Sequence, residues 1–196
     1  MKSGLEDVVA AETVLSDVDG GNGRLIVRGV SLDDLVASSR YEDVVALLFD
    51  GFLPRPPDLR AALGAARLTV FGYLTDARPL TELPPVEGMR ALLARLDDGD
   101  GIATALELVA APAVFTTGLL RLKAGLTPIA PEAALSHAAD TLRMLHGTMP
   151  RDEQVTALDR YLVTVADHGL NASTFAARVV ASTQAGLTSS VLAALS

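Results

Sequence analysis

Gly101-Ile102-Ala103-Thr104-Ala105-Leu106-Glu107-Leu108-Val109-Ala110-Ala111-Pro112-Ala113-Val114-Phe115-Thr116-Thr117-Gly118-Leu119-Leu120 is long and apolar enough to raise the question of a membrane. Glu107 near its middle and Pro112 after it are both costly in lipid. The stretch therefore reads as a buried helix of a soluble protein. It continues to Arg121 and Lys123 before Gly125, cations that suit a helix C-terminus. A single helix over 102–123, bent at Pro112, is the expectation.

The composition agrees with helix packing. Of the 196 residues, 49% are hydrophobic but only 4% aromatic, so the apolar content is chiefly Ala, Leu and Val. Charged residues reach 20%, which argues against disorder. A net charge of −8 excludes a broad nucleic-acid surface and requires a locally positive site for any anionic substrate. The absence of cysteine removes disulfides, thiolate metal sites and a Cys nucleophile, and fits a cytoplasmic location. Met1 to Asp7 lacks the apolar run of a signal peptide.

Working outward, Thr13–Val18 and Arg24–Val27 flank the turn-rich Asp19-Gly20-Gly21-Asn22-Gly23, a hairpin signal. Everything after it reads as helix. Ser31 caps a short helix, and Ser39 with Glu42 has capping-box spacing for the next, which Gly51 ends. Pro57 suits the first turn of a helix to about Val70, and Gly72 to Pro85 reads as loop. Pro85 opens a helix that stops before Asp97-Asp98-Gly99-Asp100, a solvated turn and helix cap. Pro131 begins another, closed by Gly147. The next runs from Asp152 or Glu153 to His168-Gly169, and Asn171 caps one carrying Phe175, Val179 and Val180. The last segment, Thr188–Ser196, has an apolar face without a Gly or Pro stop, so it is expected to need a covering partner. The fold class is all-α, about eight helices with a small N-terminal β-hairpin.

Three histidines are present. His137 lies early in a helix and reads as a locally bonded core or surface residue. His146 before Gly147 reads as a helix C-terminal residue. His168 precedes Gly169 and the cap residue Asn171. There the free N–H groups of the second helix, with the Ser173 hydroxyl, can hold a carboxylate or keto oxygen. On spacing alone, helix capping and a small anion site both remain open. No phosphate-binding Gly-rich loop, nucleophile elbow, zinc or EF-hand spacing occurs, so no metal or cofactor is expected.

The order of motifs resembles the citrate synthase family over essentially the whole chain. Gly4-Leu5-Glu6-Asp7-Val8-Val9, Ser16-Asp17-Val18-Asp19-Gly20 and Gly23-Arg24-Leu25-Ile26-Val27-Arg28-Gly29 look like its opening, with Val27 where an aromatic is usual. Leu135-Ser136-His137-Ala138 and Met144-Leu145-His146-Gly147 are similar to its mid-chain helix pair. Ala166-Asp167-His168-Gly169-Leu170-Asn171-Ala172-Ser173-Thr174, then Ala177-Arg178-Val179-Val180-Ala181-Ser182-Thr183, is the most specific match. The resemblance implies that residues 1–196 are the N-terminal part of a large helical domain, without the small CoA-binding domain. His168 would bind oxaloacetate, with Asn171 and Ser173 lining and supporting that pocket. The helix over 102–123 would be a principal interface of a homodimer.

In the family an Asp deprotonates acetyl-CoA, one His stabilises the enol, a second polarises the oxaloacetate carbonyl, and citryl-CoA is hydrolysed. The resemblance places those groups beyond Ser196, the first of them in a Gly-Pro-Leu-His-Gly-type motif. The isolated chain is therefore expected to be inactive, with no catalytic residue assigned. Two functions follow. One is part of a citrate or 2-methylcitrate synthase of the tricarboxylic acid cycle type, truncated or completed by a C-terminal half chain. The other is a non-catalytic binding or assembly subunit.

Overall fold

A computed structural model describes residues 11–195. The Gly4–Val9 part of the opening motif lies outside the described residues. The hairpin forms over a shorter first strand than expected: β1 (Ser16–Asp19) pairs antiparallel with β2 (Arg24–Val27), Ser16 opposite Val27. Asp19 sets the turn by accepting from the Asn22 backbone N–H at 3.1 Å and its side-chain amide at 2.7 Å. A two-residue third strand, β3 (Val30–Ser31), adds to β2 and leads directly into helix.

Nine α-helices follow among the described residues: α1 (Leu32–Ser38), α2 (Tyr41–Phe49), α3 (Leu59–Phe71), α4 (Pro85–Leu93), α5 (Ile102–Lys123), α6 (His137–His146), α7 (Asp152–Thr164), α8 (Ala172–Ala181) and α9 (Leu187–Ala194). The all-α expectation holds. Ser31 caps α1 by accepting from Asp34 N–H, and Gly51 and Gly147, at φ 78° and 83°, follow α2 and α6.

Several boundaries differ from the sequence reading, each for a local reason. The α2 box is shifted by one residue: Asp43, not Glu42, accepts from the N–H of the residue that opens the helix, Arg40. Asp58, rather than Pro57, starts α3, its carboxylate accepting from Ala61 N–H at 3.0 Å. Residues 72–85 contain two short 3-10 turns, Gly72–Leu74 and Arg78–Glu82. Helix α6 begins at His137, capped by Ser136, and not at Pro131: Asp140 turns back to accept from Glu132 N–H at 3.1 Å and ties down the preceding turn.

Helix α5 is the centre of the core. It packs against α3, α4, α6 and α9, with Ala110, Ala111, Val114 and Phe115 fully buried. Pro112 sits on its exposed side, where the lost backbone hydrogen bond is least damaging. Gly118 lets the 72–74 turn approach, since a Cβ there would lie 2.5 Å from Leu74 Cδ1. Much of the apolar character of α5 thus serves the chain's own core. Its outward strip is Ala103, Pro112, Thr116, Leu120 and Lys123.

The last helix is seated rather than open. Asp98, in the loop between α4 and α5, accepts from Thr188 N–H at 2.9 Å and from the Ser189 hydroxyl. Leu187 N–H donates to the Gly99 carbonyl at 2.7 Å, and Leu187, Val191, Leu192 and Leu195 join the main core. The Asp97–Asp100 cluster is indeed a helix cap, but for α9. A smaller apolar cluster of Val27, Leu35, Val44 and Val163 fixes the sheet, α1, α2 and α7 together.

Candidate functional site

Asp167, His168, Gly169 and Leu170 form a separate turn between α7 and α8. The sequence reading ran α7 on to His168; the helix stops at Thr164. Asp167 accepts from Gly169 N–H at 2.9 Å, closing a tight turn that competes with helix. Gly169 adopts φ 86°, and a Cβ there would lie 2.5 Å from Val18 Cγ2. Both facts require glycine, and the second shows that β1 props this turn from behind.

Asn171 opens α8 as expected. Its Oδ1 accepts from Thr174 N–H at 2.8 Å, while Thr174 Oγ1 accepts from Asn171 N–H at 2.8 Å. That reciprocal pair fixes which end of the Asn171 amide is which. Its nitrogen then faces the His168 ring, 3.1 Å from Nε2 and 3.5 Å from Nδ1.

The cap uses Thr174 N–H, and Phe175 N–H bonds to the Asn171 carbonyl. The N–H groups of Ala172 and Ser173 remain at the open end of the helix, beside an exposed His168 ring and an exposed Ser173 side chain. The three residues singled out in the sequence are thus brought to one turn. His168 sits on a loop rather than at the end of α7.

Two hollows adjoin this turn. One of about 550 Å³ is lined by Val14, Phe52, Asp167, Leu170 and Arg178 among others, and one of about 470 Å³ by Leu170, Asn171, Ala172, Phe175 and Arg178. Neither is lined by His168 or Ser173. Arg178 belongs to both hollows and escaped the sequence reading. A lone cation on the otherwise uncharged helix 172–181 was the available signal.

The remaining histidines sit elsewhere. His137 is 3% exposed, its backbone N–H donating to Glu42 Oε1 at 2.7 Å and its ring 5.2 Å from that of Tyr41. Burial, then the Arg67 charge, pushes its pKa down to about 3, so it stays neutral; burial and Glu42 push Tyr41 up to about 12. Beside it, fully buried Arg67 donates from Nε to Asp140 Oδ2 at 2.8 Å, and Arg143 Nη2 donates to Asp140 Oδ1 at 2.7 Å. This network is structural. His146 is exposed at the end of α6.

The family model of the citrate synthase C-terminal domain matches residues 4–196. The chain belongs to the citrate synthase family. It is 35% identical to citrate synthase of Haloferax volcanii, with 100% of this chain and 56% of that protein covered. It is 33% identical to 2-methylcitrate synthase of Mycobacterium tuberculosis, at 100% and 53%. Its fold matches the crystal structure of Pyrobaculum aerophilum citrate synthase with a TM-score of 0.82 at 31% identity, covering 97% of this chain and 53% of that one. The chain spans about half the length of the curated relatives it matches.

Proposed function

We propose that this chain is the oxaloacetate-holding part of a cytoplasmic citrate-synthase-type acyltransferase. A complementary polypeptide would supply the catalytic residues, and the complete enzyme would condense acetyl-CoA with oxaloacetate to give citrate and CoA. The observation that carries the reading is the α7–α8 turn. Asn171 caps the start of α8, which leaves the Ala172 and Ser173 N–H groups at the helix end without helical partners, with His168 and Ser173 exposed within the same turn of chain.

The Asn171 amide steadies the His168 ring, and an anionic substrate would accept from a ring N–H. The helix N-terminus favours the substrate's negative charge, offsetting the chain's acidic balance locally. Neither His137, enclosed in the core, nor His146, on α6, stands at this turn to act as the catalytic histidine. The isolated chain is accordingly inactive in condensation.

A non-catalytic binding or assembly subunit is the competing reading. In either case a homodimer would form through the outward strip of α5 and neighbouring α4. The site test is calorimetric titration with oxaloacetate. His168→Ala should weaken binding by roughly 1.5–3 kcal/mol, the value of a hydrogen bond to a charged group. Equal affinities would return His168 to a purely structural role. Because the relatives carry two names, turnover assays should offer both acetyl-CoA and propionyl-CoA.

A further inference from the structure

Three buried side-chain atoms have no hydrogen-bond partner among the described residues: Glu42 Oε2, Arg67 Nη1 and His137 Nδ1. Their residues are 8%, 0% and 3% exposed, so bulk solvent does not satisfy them. An orphaned polar atom at such depth is costly, and three together call for a common cause. They converge on the start of α6. Glu42 Oε1 accepts from the His137 backbone N–H at 2.7 Å, which sets the other carboxylate oxygen beside the His137 side chain. Arg67 Nη2 donates to the Leu135 carbonyl at 2.9 Å, two residues before His137, and Nη1 belongs to the same planar guanidinium. The Arg67 charge acts on the His137 ring, and the Glu42 charge acts on Arg67.

We infer that these three atoms hold one internal water molecule, bonded to α2 through Glu42, to α3 through Arg67 and to α6 through His137. The chemistry of the set selects this ligand. Arg67 Nη1 only donates, an ionised Glu42 Oε2 only accepts, and His137 Nδ1 does either according to its tautomer. A water molecule, with two donor and two acceptor sites, satisfies all three in both tautomers. That makes the roughly three bonds usual for a buried water. Charge balance selects against an ion. Glu42 and Asp140 are matched by Arg67 and Arg143, both of which pair with Asp140. Asp159, the remaining buried carboxylate, faces Arg40 at 3.9 Å. A metal ion here would meet the Arg67 cation, and an anion would meet the Glu42 carboxylate. The side chains are also pinned apart. Arg67 is held by Asp140, Glu132 and Leu135, and Glu42 by the His137 N–H, so neither swings freely to close directly on the other.

The test is a high-resolution crystal structure of the chain, with magnetic relaxation dispersion of the water signal in solution. The expected density is one water within hydrogen-bond distance of Glu42 Oε2, Arg67 Nη1 and His137 Nδ1. His137→Phe keeps a ring against Tyr41 but removes Nδ1, so it should lower the long-lived water population by about one molecule. Val86→Ala, at an exposed position on α4, should leave that population unchanged. Direct bonds among the three atoms, a dry gap between them, or density of an ion would each overturn the inference. An undiminished long-lived population in folded His137→Phe would overturn it as well. If His137→Phe does not fold, the wild-type density decides.

Discussion

Acid should loosen this fold through one residue, His137. Its ring is 3% exposed, faces Tyr41 at 5.2 Å, and is packed near Glu42 and Arg67. Burial, then Arg67, lowers its pKa from 6.5 to about 3. Between those values the unfolded chain takes up a proton and the native chain does not. Stability therefore rises with pH across that window and falls as pH drops, with a slope approaching about 1.4 kcal/mol per unit. From pH 7 to pH 5 the loss amounts to about 2 kcal/mol, roughly a seventh to two-fifths of a domain's stability.

Asp159 works in the opposite sense, since burial raises its pKa and acid favours its native form, so the raw curve is composite. His137→Gln isolates the histidine. Urea midpoints at fixed protein concentration, at pH 7 and pH 5, should show a pH-dependent loss smaller in the variant by about 2 kcal/mol. The same difference predicts that the His137 ring resonances stay unshifted from pH 7 to pH 5 in the wild-type chain. Parallel stability curves together with a titrating His137 would refute the assignment.

Asp140→Asn removes the charge that two buried or half-buried arginines share, leaving Arg67 uncompensated, and should cost about 3 kcal/mol in denaturant unfolding. Gly169→Ala forces an L-residue into a left-handed turn against Val18; at least 1–2 kcal/mol of destabilisation is expected (order of magnitude), and wild-type stability would sink the packing argument. Asp98→Ala frees the start of α9, so hydrogen exchange over 187–194 should accelerate severalfold while α3 is unaffected.

What was legible in the sequence was what local chemistry decides. Asn171 and Ser31 were readable as caps because a short polar side chain bonds to a backbone donor three residues on. Gly51 and Gly147 were readable as stops because a left-handed residue is needed there. The misread elements depend on distant partners or on competing turns. Glu42 looked like half of a capping box, but its carboxylate is taken by His137 N–H, 95 positions away. Pro131 looked like a helix start until Asp140 claimed Glu132 N–H. The segment 188–196 looked uncovered because nothing local reveals that Asp98 caps the start of α9 and that the main core receives Val191, Leu192 and Leu195. At the site, spacing placed His168, Asn171 and Ser173 in one turn, but not the contact of the Asn171 amide with the His168 ring.

The central proposal is that the turn at His168 holds oxaloacetate as part of a citrate-synthase-type acyltransferase. It is tested most directly by release of free CoA from acetyl-CoA and oxaloacetate, using the chain alone and the chain mixed with a complementary citrate synthase segment. The account predicts no release by the chain alone and release in the mixture, abolished or weakened by His168→Ala. Robust turnover by the chain alone would contradict it.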